Sequence, residues 1–80
     1  SAQSFFRLGK VHYGMRNYAA SARSYETFLK FEPRNLEANN DLGAVYWYLG
    51  DKDRARYFLR QALAIDPNYE PAKINLRKMH

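Results

Sequence analysis

Two histidines, eight acidic residues and a few serines are the groups in this 80-residue chain whose types suit catalysis or metal binding. His12 sits among apolar residues, where a packed, hydrogen-bonded histidine is expected, His80 ends the chain, and neither a His-x-x-x-His pair nor any cysteine accompanies them. A zinc centre needs several nitrogen or sulfur ligands at close spacing, so it has no support. Asp51-Lys52-Asp53 echoes the opening of a calcium loop, but Ala55 stands where the next oxygen ligand is required. Capping of a helix by Asp51 accounts for the pair. Neither glycine-rich phosphate motif is present, and no serine is set beside a histidine and a carboxylate in a defensible pattern. The expectation is a chain that is not an enzyme and uses neither cofactor nor metal.

A different chemistry is carried by aromatic, amide and basic residues at helical spacing. Glu37, Asn40, Asp41, Ala44, Trp47 and Tyr48 form one such stripe, and the matching positions 34 residues earlier hold Gln3, Phe6, Arg7, Lys10, Tyr13 and Gly14. It lies beside an apolar stripe of Leu42, Val45, Tyr46 and Leu49, which has the i, i+3, i+4, i+7 pattern of a core-facing helix. Large aromatics and basic groups interleaved in this way suit recognition of another macromolecule.

The elements that position this stripe are helices. The spacing predicts a first helix over about Ala2 to Met15, with Phe5, Leu8, Val11, His12 and Met15 inward. Asn17 is placed to cap a second, Tyr18 to Phe31, which buries Tyr18, Ser21, Ala22, Tyr25, Phe28 and Leu29 and stops before Pro33. A third runs from Leu36 to Leu49 with Asn35 as its cap. Gly50 ends it and Asp51 caps a fourth, Lys52 to Ile65, whose inner face is Ala55, Phe58, Leu59, Ala62 and Leu63. A fifth, about Tyr69 to His80, puts Ala72, Leu76 and Met79 on one side.

Leu8, Gly9, Leu29 and Pro33 recur 34 residues later as Leu42, Gly43, Leu63 and Pro67. A fixed period of this size signals stacked supersecondary units. Residue types and spacing together resemble the tetratricopeptide repeat, a helix–turn–helix unit. The resemblance implies an all-α, right-handed α-solenoid of antiparallel helix pairs. Residues 2–35 and 36–69 would be two full repeats, and 70–80 a final capping helix. Gly9, Gly43, Ala55 and Ala62 fall where neighbouring backbones should approach closely. Phe28 stands where the next repeat has Ala62, and Asn39 where the preceding one has Phe5, which suggests local compensation in packing. Arg77 replaces the glycine of Gly9 and Gly43, so the last helix is expected to face water on that side. The first helix is expected to be covered by further repeats or by a second copy.

In tetratricopeptide repeats the first helix of each pair lines a concave groove. The resemblance thereby implies a peptide-binding groove of Phe6, Arg7, Lys10, Tyr13, Asn40, Asp41, Trp47, Tyr48, Ile74, Asn75 and Lys78. The family's carboxylate clamp, which grips acidic chaperone C-termini, needs lysine, asparagine, asparagine, lysine and arginine, in that order, at the positions held here by Phe6, Lys10, Asp41, Pro71 and Asn75. None matches, and Asp41 would repel a carboxylate. The function implied is a protein–protein interaction scaffold holding a partner peptide or helix.

Two other readings stand beside it. Related helical-hairpin repeats with a period one residue longer read single-stranded RNA, and this chain is basic, with 13 Lys and Arg against 8 Asp and Glu. Glu37 and Asp41 in the groove weigh against nucleic acid, whose binding is dominated by counterion release. The third reading is a self-assembling scaffold joined through the outer edge of the first helix. Lys52, Arg56 and Arg60 form a basic stripe expected on a solvated convex face, with Glu26 near Arg60. The composition, 46% hydrophobic and 16% aromatic, is ample for a small helical core. No apolar run approaches the roughly 20 residues of a membrane helix. With no leader pattern either, the balance tilts toward the cytoplasm.

Overall fold

The computed structural model describes residues 1–79, and His80 lies outside them. It contains five helices: α1 (Ala2–Gly14), α2 (Tyr18–Phe31), α3 (Leu36–Leu49), α4 (Lys52–Ile65) and α5 (Glu70–Lys78). There is no strand among the described residues. α1 packs on α2 and α3 on α4, the two pairs meet through α2 and α3, and α5 closes on α4 and touches α3. This is an all-helical repeat, as the period predicts.

The two hairpin turns have the same form. At the end of α3, Gly50 adopts φ 86°, and the amides of Gly50 and Asp51 donate to Trp47 and Tyr46. At the end of α1, Arg16 takes φ 61°, and the amides of Arg16 and Asn17 donate to Tyr13 and His12. Both close a Schellman motif, which satisfies the last carbonyls of the helix. Asn35 and Asp51 cap the following helices, accepting from the amides of Ala38 at 2.8 Å and Arg54 at 3.1 Å. Asn17 holds the cap position of α2, but its side chain makes no capping bond. The start of α2 is secured by packing instead.

The core runs from Phe6 through Tyr25 and Phe28 to Leu42 and Val45, then on to Leu59, Ala62 and Ala72. Glycine permits the close approach of the paired helices. A Cβ on Gly43 would meet Leu59 Cγ at 2.8 Å and the Ala55 carbonyl at 3.0 Å, and one on Gly9 would meet the Tyr25 ring at 2.9 Å. The Ser21 hydroxyl uses the same proximity to donate to the Gly9 carbonyl at 2.7 Å.

Four expectations are corrected. The predicted inner face of α1 is its outer face: Phe5, Leu8, Val11 and Met15 are exposed, while Phe6 and Gly9 are buried. The equivalent positions in α3, Leu42 and Val45, are buried because α2 covers them. α1 has no such helix on its outer side. His12 is half-buried, but its Nδ1 has no hydrogen-bond partner rather than the one expected. Finally, α5 ends at Lys78, where Met79 is extended and packs against the Leu59–Ala62–Ala72 cluster, and the expected end at His80 lies outside the described residues. Asn39 does not exchange volume with Phe28. Its amide donates to the carbonyls of Pro33 and Asn35, while Phe28 lies against Phe6 with ring centroids 4.9 Å apart.

Candidate functional site

The inner faces of α1, α3 and α5 meet around a groove of about 250 Å³ lined by Tyr13, Asn40, Asp41, Ala44, Trp47, Tyr48, Asn75, Lys78 and Met79. Seven of the residues predicted for the site are here: Tyr13, Asn40, Asp41, Trp47, Tyr48, Asn75 and Lys78. They converge because positions one helical repeat apart are stacked by the period and turned to one side by the α1–α2 and α3–α4 hairpins.

One wall is aromatic. Tyr48 stacks on Tyr18 with centroids 4.8 Å apart and planes 7° from parallel, and Tyr13 leans on both at about 6 Å. Tyr48 is still more than half exposed, so this cluster presents apolar surface to the groove. Burial and the neighbouring Tyr48 raise the Tyr13 phenol above its ordinary pKa, so it is a neutral donor. Lys52 Nζ of α4 sits 5.6 Å from the Trp47 ring centroid, a cation–π contact between α4 and α3.

The other wall is polar. Asn75 Nδ2 of α5 donates to Asn40 Oδ1 of α3 at 3.0 Å. The pair clamps the last helix to the second repeat and leaves further amide capacity toward the groove. Asp41 is half-buried and accepts a 2.8 Å hydrogen bond from the Tyr25 hydroxyl. Burial raises its pKa above the ordinary carboxylate value, against the lowering effect of that bond and of Lys10. The same burial and the nearby Asp41 keep Tyr25 firmly protonated.

Four predicted residues are placed elsewhere. Phe6 is only 8% exposed and fills the core, edge-on to Tyr25 and tilted on Phe28, because those rings leave an aromatic slot beneath α1. Lys10 lies 4.7 Å over the Phe6 ring and forms an ion pair with Glu37 at 2.8 Å, so its charge is already matched. Arg7 is exposed outside the groove, and so is Ile74, at 40%. Ala44, Met79 and Tyr18 were not among the predicted site residues. Ala44 lies on the predicted stripe, and its small side chain leaves the groove open between Asp41 and Tyr48. Met79 and Tyr18 were expected in packing. Glu26 does not approach Arg60 as an ion pair. It accepts from the Tyr46 hydroxyl at 2.6 Å, and burial together with this carboxylate pushes the Tyr46 pKa up to about 12. Among the described residues no three His, Asp or Glu side chains are grouped so as to hold a metal ion. No helix is long and apolar enough to cross a membrane.

Residues 6–70 match the family model described as tetratricopeptide repeat. The chain belongs to the tetratricopeptide repeat family. Among curated proteins it is similar to the Protein CTR9 homolog of Arabidopsis thaliana, at 29% identity over 75 residues. That alignment covers 94% of this chain but 7% of the plant protein. Tetratricopeptide repeats are in general protein–protein interaction modules.

Proposed function

We propose that this chain is a protein–protein interaction module that holds a segment of a partner protein, extended or helical, in the α1–α3–α5 groove. The observation that carries this reading is the meeting of Tyr13, Trp47 and Tyr48 with the Asn40–Asn75 amide pair in one open groove. The aromatics supply large contact area at small entropy cost, and the amides can engage a peptide backbone. No catalytic role is assigned to any residue.

The test is a peptide selection. Peptides from a random displayed library are selected on the wild-type chain. Their affinities are then measured for it and for a Trp47→Ala/Tyr48→Ala variant, with circular dichroism as the folding control. The expected result is a loss of at least about tenfold with helicity retained, as for central aromatic anchors of an interface. Equal binding by both chains would contradict the groove. A single-stranded oligonucleotide titrated at low and high salt examines the nucleic-acid alternative, which requires a steep salt dependence.

A second reading is favoured by the outer face of α1. Phe5, Leu8, Val11 and Met15 are exposed together there, beside a shallow cleft that also involves His12, Arg23 and Thr27. Such a face suits stacking of a further helix or self-association. Mass that rises with concentration would support the self-associating form.

A further inference from the structure

Asp41 is the feature of the groove that a general peptide channel does not need. It is half-buried on the groove wall, and its Oδ2 is fixed by the Tyr25 hydroxyl at 2.8 Å. Lys10, the cation on the neighbouring helix α1, is engaged by Glu37 at 2.8 Å. The ion pairs among the described residues are Lys10–Glu37, Arg54–Asp51 and Lys73–Glu70, so Asp41 has no cation in ion-pair contact. Tyr13, Trp47 and Tyr48 stand around the same groove.

We propose that the groove selects a cationic side chain of the partner segment, arginine above lysine, with its charge on Asp41 and its flat face against the Tyr13–Tyr48 wall. This rests on the groove reading above and deepens it. A guanidinium donates two parallel hydrogen bonds to a carboxylate and stacks on aromatic rings, so one side chain satisfies both walls. A segment without a cation would cover a carboxylate whose partner is the neutral Tyr25 hydroxyl and leave its charge without a counter-ion in a drier environment, which is strongly unfavourable. Specificity follows from that mismatch as much as from the match. Lys78 also borders the groove, from α5, but it is exposed at the rim. Water and salt screen its repulsion, whereas the field of the half-buried carboxylate is screened less. The chain's net charge of +5 is a long-range property and does not decide the local contact. An acidic C-terminus, by the same reasoning, is rejected.

The test uses the whole chain and the tightest peptide from the displayed library. Each arginine of that peptide is exchanged in turn for citrulline, its neutral near-isostere, and each lysine for acetyl-lysine. Binding is read by fluorescence anisotropy against wild type and Asp41→Asn, which preserves side-chain size and an acceptor for Tyr25. The expected result is one exchange that weakens binding to wild type by about tenfold or more. Asp41→Asn weakens the parent peptide by a similar factor, and the two losses together are no greater than either alone. Selected peptides without a basic residue, or losses that simply add, overturn the proposal. If Asp41→Asn does not fold, the peptide exchanges on wild type decide: indifference to all of them overturns it. A peptide whose binding needs Trp47 and Tyr48 but no cation leaves the groove reading standing and removes the role of Asp41. Binding indifferent to both aromatics, or a library that yields no binder, removes both.

Discussion

Arg16 and Gly50 occupy equivalent turns, one repeat apart, and adopt the same left-handed backbone. Glycine does this freely, whereas a side chain there carries a penalty of roughly 1–2 kcal/mol. Arg16→Gly is therefore expected to stabilise the chain by about 1 kcal/mol, after allowance for glycine's larger unfolded-state entropy. Urea unfolding checks this, and a lower midpoint would contradict it. Asp41 makes a second residue-scale prediction. Its neighbours are Tyr25 on α2, Lys10 on α1, Glu37 and Asn40 on α3, and Lys78 at the groove rim. Because burial raises its pKa, the folded chain holds this proton more tightly than the unfolded chain. The stabilising contribution is complete below the ordinary value of 3.8 and is lost as pH rises through the raised one. At neutral pH the ionised carboxylate thus costs stability, and Asp41→Asn should melt above wild type there. The advantage should disappear below the ordinary carboxylate pKa. A variant that melts lower at neutral pH would show that the Tyr25 bond outweighs the burial. Loss of binding with gain of stability would mark Asp41 as a residue kept for recognition.

At the scale of the helix, α1 and α3 carry the same pattern in different surroundings. Leu8 is 45% exposed and Leu42 is fully buried, although they are identical residues at equivalent positions. Leu42→Ala should cost about 2–5 kcal/mol, since it opens a cavity in the core shared with Tyr25 and Phe28 of α2. Leu8→Ala should cost less than about 1 kcal/mol. Thermal unfolding of the two variants makes the comparison, and equal losses would mean that the outer face of α1 is covered in solution. The contrast also explains what the sequence could and could not reveal. Helix positions, turn glycine, the caps at Asn35 and Asp51, and most of the groove were legible because periodicity and capping are local. Which stripe of α1 faces inward was not, because it depends on whether a helix lies on its far side. Phe6 was misplaced for a related reason. Its position aligns with Asn40 of the groove, but Tyr25 and Phe28 supply a buried aromatic site that no spacing within α1 reports. Lys10 was assigned to a partner, but its own chain supplies Glu37 from the next repeat.

For the whole molecule, the α1–α2 and α3–α4 pairs and α5 create two surfaces of different character. The groove has aromatic and polar walls tied together across three helices, and the outer face of α1 exposes Phe5, Leu8, Val11 and Met15. The first suits a guest of defined chemistry, and the second suits another helix. The central claim, that the guest occupies the groove, is tested most directly by amide chemical-shift mapping of the labelled chain titrated with a selected peptide. The chain has one tryptophan, so its indole N–H signal reports the groove without ambiguity. The account predicts that the Trp47 indole, the Ala44 and Tyr48 amides and the Asn75 side chain move together, while Phe5, Leu8 and Thr27 stay fixed. Shifts confined to Phe5, Leu8 and Thr27, with the Trp47 indole unmoved, would contradict it and assign binding to the outer face of α1.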